Sequence, residues 1–262
     1  MHLRNASEVV LVRILEPRAA GGSPSSRLEG ESIARLYLQR VALELEKSGI
    51  RTKTVARTGE VPASILAVSR EEGCSLIALS THGRLTPQSL PFGKAAGELL
   101  RSSEVPVLSV PPRVHAGAEP HAPKSGPPLR TVLVSSEGEK LAEAIVPAAA
   151  DFTASFGGDL AVLLEVVPPS ESGRMEAERH VRAEEHLAKM ARSFESKQIP
   201  TTRVIREGDP VAAILAVAEE RQADLIALSA GEPVRGTDSP LDPITEGVLR
   251  ASTVPVLTSA PR

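Results

Sequence analysis

The sequence predicts an α/β chain of two tandem doubly wound parallel-sheet domains, the first lacking its first strand and first helix. Three observations carry this. A shift of 149 positions lays Ser64-Ile65-Leu66-Ala67-Val68 on Ala213-Ile214-Leu215-Ala216-Val217, and Leu76-Ile77-Ala78-Leu79-Ser80 on Leu225-Ile226-Ala227-Leu228-Ser229. The same shift pairs Leu100-Arg101 with Leu249-Arg250 and Val105-Pro106-Val107-Leu108 with Val254-Pro255-Val256-Leu257. A constant, gap-free offset over more than forty residues marks a duplication. Within each copy, short β-rich runs alternate with stretches of helical periodicity, the pattern of a parallel sheet covered by helices. Between the copies, Pro111 to Arg130 carries six prolines and two glycines with almost nothing apolar to bury, which reads as an extended linker. The expected organisation is a first domain at 1–110, a Pro-rich linker at 111–129 and a complete second domain at 130–262.

The elements follow in order. The first copy is expected to run through a strand at Val9 to Leu15, a helix at Glu31 to Ser48 ended by Gly49, a strand at Thr52 to Ala56 and a helix at Pro62 to Glu72. A strand at Leu76 to Leu79, a helix at Lys94 to Arg101 and a strand at Pro106 to Val110 complete it. The second copy has strands at Thr131 to Ser135, Leu160 to Val166, Thr201 to Ile205, Leu225 to Ser229 and Pro255 to Thr258. Its helices fall at Glu139 to Phe156, Glu171 to Lys197, Pro210 to Gln222 and Pro243 to Ala251. Asp209 is placed to cap the third of these helices, and Pro210 supplies the fixed φ favoured at a first helical position. Glu8-Val9-Val10-Leu11-Val12 aligns with Asp159-Leu160-Ala161-Val162-Leu163, so nothing in the first copy matches the segment from Thr131 to Gly158.

Composition removes several classes of function. Lys plus Arg is 30 against 33 for Asp plus Glu, a formal charge of −3, so there is no cationic excess to neutralise a phosphate backbone. With no Trp, one Tyr and four Phe, stacking platforms for single strands are missing too. Nucleic acid is not an expected partner. The single cysteine, Cys74, excludes an internal disulfide and fits a reducing cytoplasm. The N-terminus has no apolar signal-peptide core, and apolar runs such as Leu160 to Val167 are of strand length, so no membrane partner is expected.

The loop after the fourth strand of the first copy is where chemistry could reside. Ser80-Thr81-His82-Gly83 is followed by nine residues, Arg84 to Phe92, and then Gly93-Lys94 opens a helix. Glycines let backbone N–H groups approach an anion, and a helix N-terminus adds partial positive charge, so the loop suits a phosphate. This arrangement resembles the nucleotide loop of the universal stress protein family, Gly-x2-Gly-x9-Gly-(Ser/Thr), and the resemblance extends over nearly all of both copies, including the Val-Pro-Val-Leu final strand. It implies a Rossmann-like, adenine nucleotide alpha hydrolase-like fold with strand order 3-2-1-4-5. Gly83 and Gly93 stand at two of the family glycines, while Ser80 replaces the first and Lys94 the hydroxyl residue. Lys94 either meets a phosphate as a point charge or is a solvated lysine. Pro87 and Pro91 remove N–H donors from the cradle.

In the second copy the equivalent positions are Ser229, Glu232, Asp242 and Pro243, with Asp238 nearby; carboxylates close to a polyphosphate cost affinity through repulsion. No nucleotide is expected there. The family's Asp after the first strand has its counterpart at Glu137 in the second copy and none in the first. The resemblance implies a cytoplasmic, non-enzymatic stress-response binding or regulatory protein with degenerate nucleotide sites. No cofactor is expected beyond weak ATP in the first copy. The alternative is an ATP-binding switch or very weak ATPase using Ser80, Thr81, His82, Gly83, Gly93 and Lys94.

Other residues carry less. Cys74 lies opposite Ala223 and reads as a structural thiol, with no cation or helix N-terminus to activate it. His180 and Glu184, four apart on a helix, lack a third ligand, and His115 and His121 lie in the linker, so no metal is expected. There is no nucleophile elbow, His-Glu-x-x-His or Gly-x-x-x-x-Gly-Lys-(Ser/Thr) motif. The final strands, Val105 to Val110 and Val254 to Thr258, are expected to meet at the joint of an intramolecular pseudo-dimer, which leaves room for a further homodimer. The missing central strand is expected to be closed over by direct pairing of Val9 to Leu15 with Leu76 to Leu79, with a misplaced start as its origin.

Overall fold

The computed structural model describes residues 8–16, 24–80, 94–111, 129–135, 139–169, 173–231 and 241–260. The chain divides into two compact units, Leu3–Ser75 and, with Met1–His2, Leu76–Arg262.

In the smaller unit, β1 (Val9–Leu15) and β2 (Thr52–Thr58) form a two-stranded parallel sheet in register from Val9↔Thr52 to Leu15↔Thr58. The crossover is α1 (Pro24–Glu46), and α2 (Val61–Glu71) follows β2. The first helix starts seven residues before the expected Glu31, because Pro24 is well placed at a first helical turn, where its missing N–H costs nothing. Gly49, at φ 78°, ends the turn after α1 in the left-handed region that glycine tolerates best. Ala34, Leu38 and Ala42 of α1 and Val68 of α2 are buried. No residue of β1 is: its apolar side chains are half-buried and Arg13 is exposed.

The larger unit contains β3 (Ile77–Ser80), α3 (Lys94–Ser102) and β4 (Val107–Val110), then the second copy. That copy runs β5 (Thr131–Ser135), α4 (Glu139–Phe156), β6 (Leu160–Val167), α5 (Gly173–Glu195), β7 (Thr201–Glu207), α6 (Pro210–Glu220), β8 (Leu225–Ser229), α7 (Pro243–Ala251) and β9 (Val256–Ser259). The larger unit's seven-stranded sheet has the order β3-β4-β9-β8-β5-β6-β7. The second copy's strands therefore stand in the expected 3-2-1-4-5 order, all parallel, with β5 in the middle. Asp209 caps α6 as expected, accepting from the Ala212 N–H at 2.8 Å. The core is built from Val132, Val134, Ala161 and Leu163 on the sheet, Ile145 and Ala149 on α4, and Leu187, Met190 and Phe194 on α5. Each large side chain so buried contributes about 1.5–3 kcal/mol.

The final strands of the two copies meet as expected. Strand β4 pairs antiparallel with β9 through Val107↔Thr258, Leu108↔Leu257 and Ser109↔Val256, and the buried Thr258 hydroxyl donates to the Val107 carbonyl at 3.3 Å.

Two expectations are corrected. The strands at Val9 to Leu15 and Leu76 to Leu79 do not pair: among the described residues β1 has only β2 as a strand neighbour, and β3 only β4. Closure was expected because unpaired buried N–H and C=O groups are costly, yet β1 is half-exposed along its length, so water can satisfy its free edge. The alignment of Glu8–Val12 with Asp159–Leu163 is one residue out. Thr52 and Thr201 correspond at the 149 shift, and they pair with Val9 and Ala161, so the opening strands are related by a shift of 152 rather than 151. Valine-rich runs match almost equally well in either register; only the pairing partner decides.

Candidate functional site

In the second copy the crevice at the carboxyl ends of the strands lies where β5 and β8 adjoin, the point at which the strand order reverses. Ser229 ends β8, and its carbonyl accepts from the Thr245 hydroxyl at 3.0 Å, which draws the first turn of α7 onto the strand end. At that first turn stands Asp242. One carboxylate oxygen accepts from the Ile244 N–H at 3.1 Å and the Thr245 N–H at 2.8 Å, and the other from the Gly231 N–H at 2.8 Å. Pro243 has no N–H to offer. The helix N-terminus, an anion site by its free donors and its dipole, is thus filled by the chain's own carboxylate. Approach is also close: a Cβ on Gly231 would lie 3.1 Å from the Asp242 carboxyl carbon.

Sequence reasoning placed Asp242 as a source of repulsion and missed that it is a cap. The signal was present: Asp242-Pro243 repeats the Asp209-Pro210 pair that was read correctly as a cap. Glu232, Asp238 and Glu137 lie outside the described residues.

In the first copy, Ser80 is the exposed last residue of β3, and Lys94 is the first residue of α3. Thr81, His82, Gly83 and Gly93 lie outside the described residues, as do His115 and His121. Glu184, weighed with His180 as a ligand pair, has its carboxylate 3.8 Å from the Arg203 guanidinium. Among the described residues no group of three His, Cys, Asp or Glu could hold a metal ion, and no helix is long and apolar enough to cross a membrane. Cys74 is half-buried, and that burial pushes its thiol up from its ordinary value, with Glu72 adding to the effect.

A second polar feature went unread in the sequence. Glu165 near the end of β6 and His186 on α5 join at 2.6 Å between Oε2 and Nδ1, with both side chains largely buried. They are twenty-one residues apart, and no short motif links them. The first copy has Arg13 and Tyr37 at the corresponding places, the guanidinium carbon 5.1 Å from the ring centroid.

A parallel sheet of order 3-2-1-4-5, with a helix N-terminus at its carboxyl edge, defines a doubly wound α/β protein. The universal stress protein family model matches residues 1–111 and 128–259, and the chain belongs to that family. Among solved structures, a universal stress protein from Archaeoglobus fulgidus DSM 4304 is similar at 22% identity and a TM-score of 0.70, over 99% of this chain and 88% of that one. A functionally unknown protein from Pseudomonas aeruginosa PAO1 is similar at 16% identity and a TM-score of 0.59, over 99% and 94%. A universal stress protein in complex with cAMP matches 51% of this chain and 98% of its own at 18% identity, with a TM-score of 0.42. No curated protein matches the chain.

Proposed function

We propose that this chain is a non-enzymatic binding or regulatory protein of the cytoplasmic stress response, with degenerate nucleotide sites. The observation that carries this reading is the Asp242 carboxylate on the α7 N-terminus. A phosphate arriving there would compete for the Ile244 and Thr245 N–H groups while meeting a like charge at close range. Two unit charges 4 Å apart repel by about 4 kcal/mol at an effective dielectric of 20, against the 0.3–1 kcal/mol that a helix dipole typically offers an anion. Repulsion wins, and a nucleotide is kept out of the second copy.

The alternative, an ATP-binding switch or very weak ATPase, is favoured by Gly83 and Gly93, which keep the family spacing in the first copy with Lys94 opening α3. Thermal unfolding of the full chain with and without ATP and Mg²⁺ separates the two. The degenerate-site reading expects a shift within about 1 °C. A ligand at one hundred times its Kd adds about 2.7 kcal/mol, some 5 °C or more in a chain of this size. A shift that large, abolished by Gly83→Asp, would establish the switch. One that survives Gly83→Asp and tracks changes at Asp242 would overturn both readings.

A further inference from the structure

We propose that the cavity between the end of β6 and α5 is a binding site for a small dianion, a phosphate ester or a dicarboxylate, independent of the nucleotide crevice. The cavity has a volume of about 420 Å³, in the range of small-molecule sites, and its polar lining is Arg179, Arg182 and Lys189 with His186, Glu165 and Glu185. Three fixed cations face two carboxylates, and one of those, Glu165, is engaged by His186 at 2.6 Å. With three cations against two carboxylates, the formal charge of the lining is positive. The Arg179 guanidinium also donates to the Pro168 carbonyl at 3.2 Å, which holds it at the end of β6.

His186 is the second observation. It is 8% exposed, its Nδ1 is held by Glu165, and its Nε2 is buried with no hydrogen-bond partner. Buried polar atoms are nearly always paired, and an orphan calls for an explanation such as an unseen ligand. With Nδ1 engaged by a carboxylate, Nε2 is an acceptor in the neutral ring and a donor in the imidazolium, the form an anion would select. An anion seated between Nε2 and the Arg182 and Arg179 forks would satisfy it with charge-assisted bonds.

The first copy serves as an internal control. Under the 149 shift, Arg179, Arg182, Glu185, His186 and Lys189 correspond to Gly30, Ile33, Leu36, Tyr37 and Arg40, and Glu165 corresponds to Arg13 through the sheet registers. The same strand–helix pair folds there without the Glu–His pair or the two arginines, so the fold does not require them.

The test uses the full chain, with histidine ring ¹⁵N shifts followed during titration with inorganic phosphate and, separately, malonate, at ionic strength held constant with KCl. The expected result is a saturable shift of the His186 ring, assigned by its loss in His186→Gln, with at least tenfold weaker binding in Arg182→Glu and unchanged binding in Arg221→Glu. Saturation by phosphate alone identifies the phosphate-ester class, and by malonate alone the dicarboxylate class. Arg182 is exposed, so its substitution leaves folding intact if His186→Gln does not. Failure of both anions to move the His186 ring at millimolar concentration, or binding that Arg182→Glu leaves unchanged, would overturn the proposal. Neither outcome bears on the ATP experiment.

Discussion

The pairs β6–α5 and β1–α1 are the same piece of chain used twice, and they differ in what lies beside them. Strand β6 sits between β5 and β7, and its positions Ala161 to Leu164 are fully buried. Strand β1 has one strand neighbour among the described residues, and nothing on it is buried. The helices diverge in the same sense: Met190 and Phe194 of α5 are 2% and 0% exposed beneath α4, whereas Val41 and Leu45, their counterparts on α1, are only half-buried. The difference teaches that burial here is conferred by the first strand and helix of a copy, and that a strand–crossover–strand unit keeps its register without them.

The largest expected effect comes from deleting the same side chain in both settings. Leu163→Ala, in the second copy, should cost about 3 kcal/mol, the usual toll of a cavity in a closed core. Leu11→Ala, its counterpart in β1, should cost less than half as much, since the side chain is already half in water. Urea denaturation of each variant measures both values, and equal losses would break the comparison by showing that β1 is covered in solution.

A smaller effect is expected at the filled helix terminus. Asp242→Ala should destabilise the larger unit by about 1–2 kcal/mol, the cost of a lost cap, with the Gly231 N–H also left without its acceptor. Chemical denaturation would show it. A neutral result would mean that water or an anion from solution replaces the carboxylate, and repeating the measurement in phosphate buffer would tell these apart.

The smallest effect is chemical. Because burial raises the Cys74 thiol, its thiolate fraction at pH 7 should fall below that of an exposed cysteine, and alkylation by iodoacetamide should be slower in the native chain than in urea. The native rate should climb as pH rises past the ordinary thiol range, since only the thiolate reacts. A native rate equal to the unfolded one at pH 7 would contradict the burial.

These contrasts also show what could be read from sequence. The duplication, the helix-covered parallel sheet and the Asp209 cap were legible because each rests on local spacing: a constant offset, alternating periodicities, an Asp-Pro pair before an apolar run; the 3-2-1-4-5 order came from the family resemblance. The one-residue slip between β1 and β6 was not, because Val9 to Val12 and Ala161 to Leu164 are apolar in any register and only the strand opposite decides. The Glu165–His186 pair was hidden for a related reason, since it forms only once Glu165 is assigned to the sheet face that α5 covers. The cap at Asp242 was legible and misread: its charge was counted, while the donors waiting for it were not.

The antiparallel contact of β4 with β9 sets an order of events during synthesis. Thr258 reaches the Val107 carbonyl across 151 residues of chain, so β3 and β4 have no sheet to join until residues 256–259 have left the ribosome. At typical rates of about 5–20 residues per second, the last part of the first copy waits on the order of ten seconds, while β5 to β8 emerge and fold. The portion of the chain made early is finished late, and during that interval Ile77 and Val107, both buried in the finished sheet, depend on whatever shelter the cell provides for exposed apolar strands.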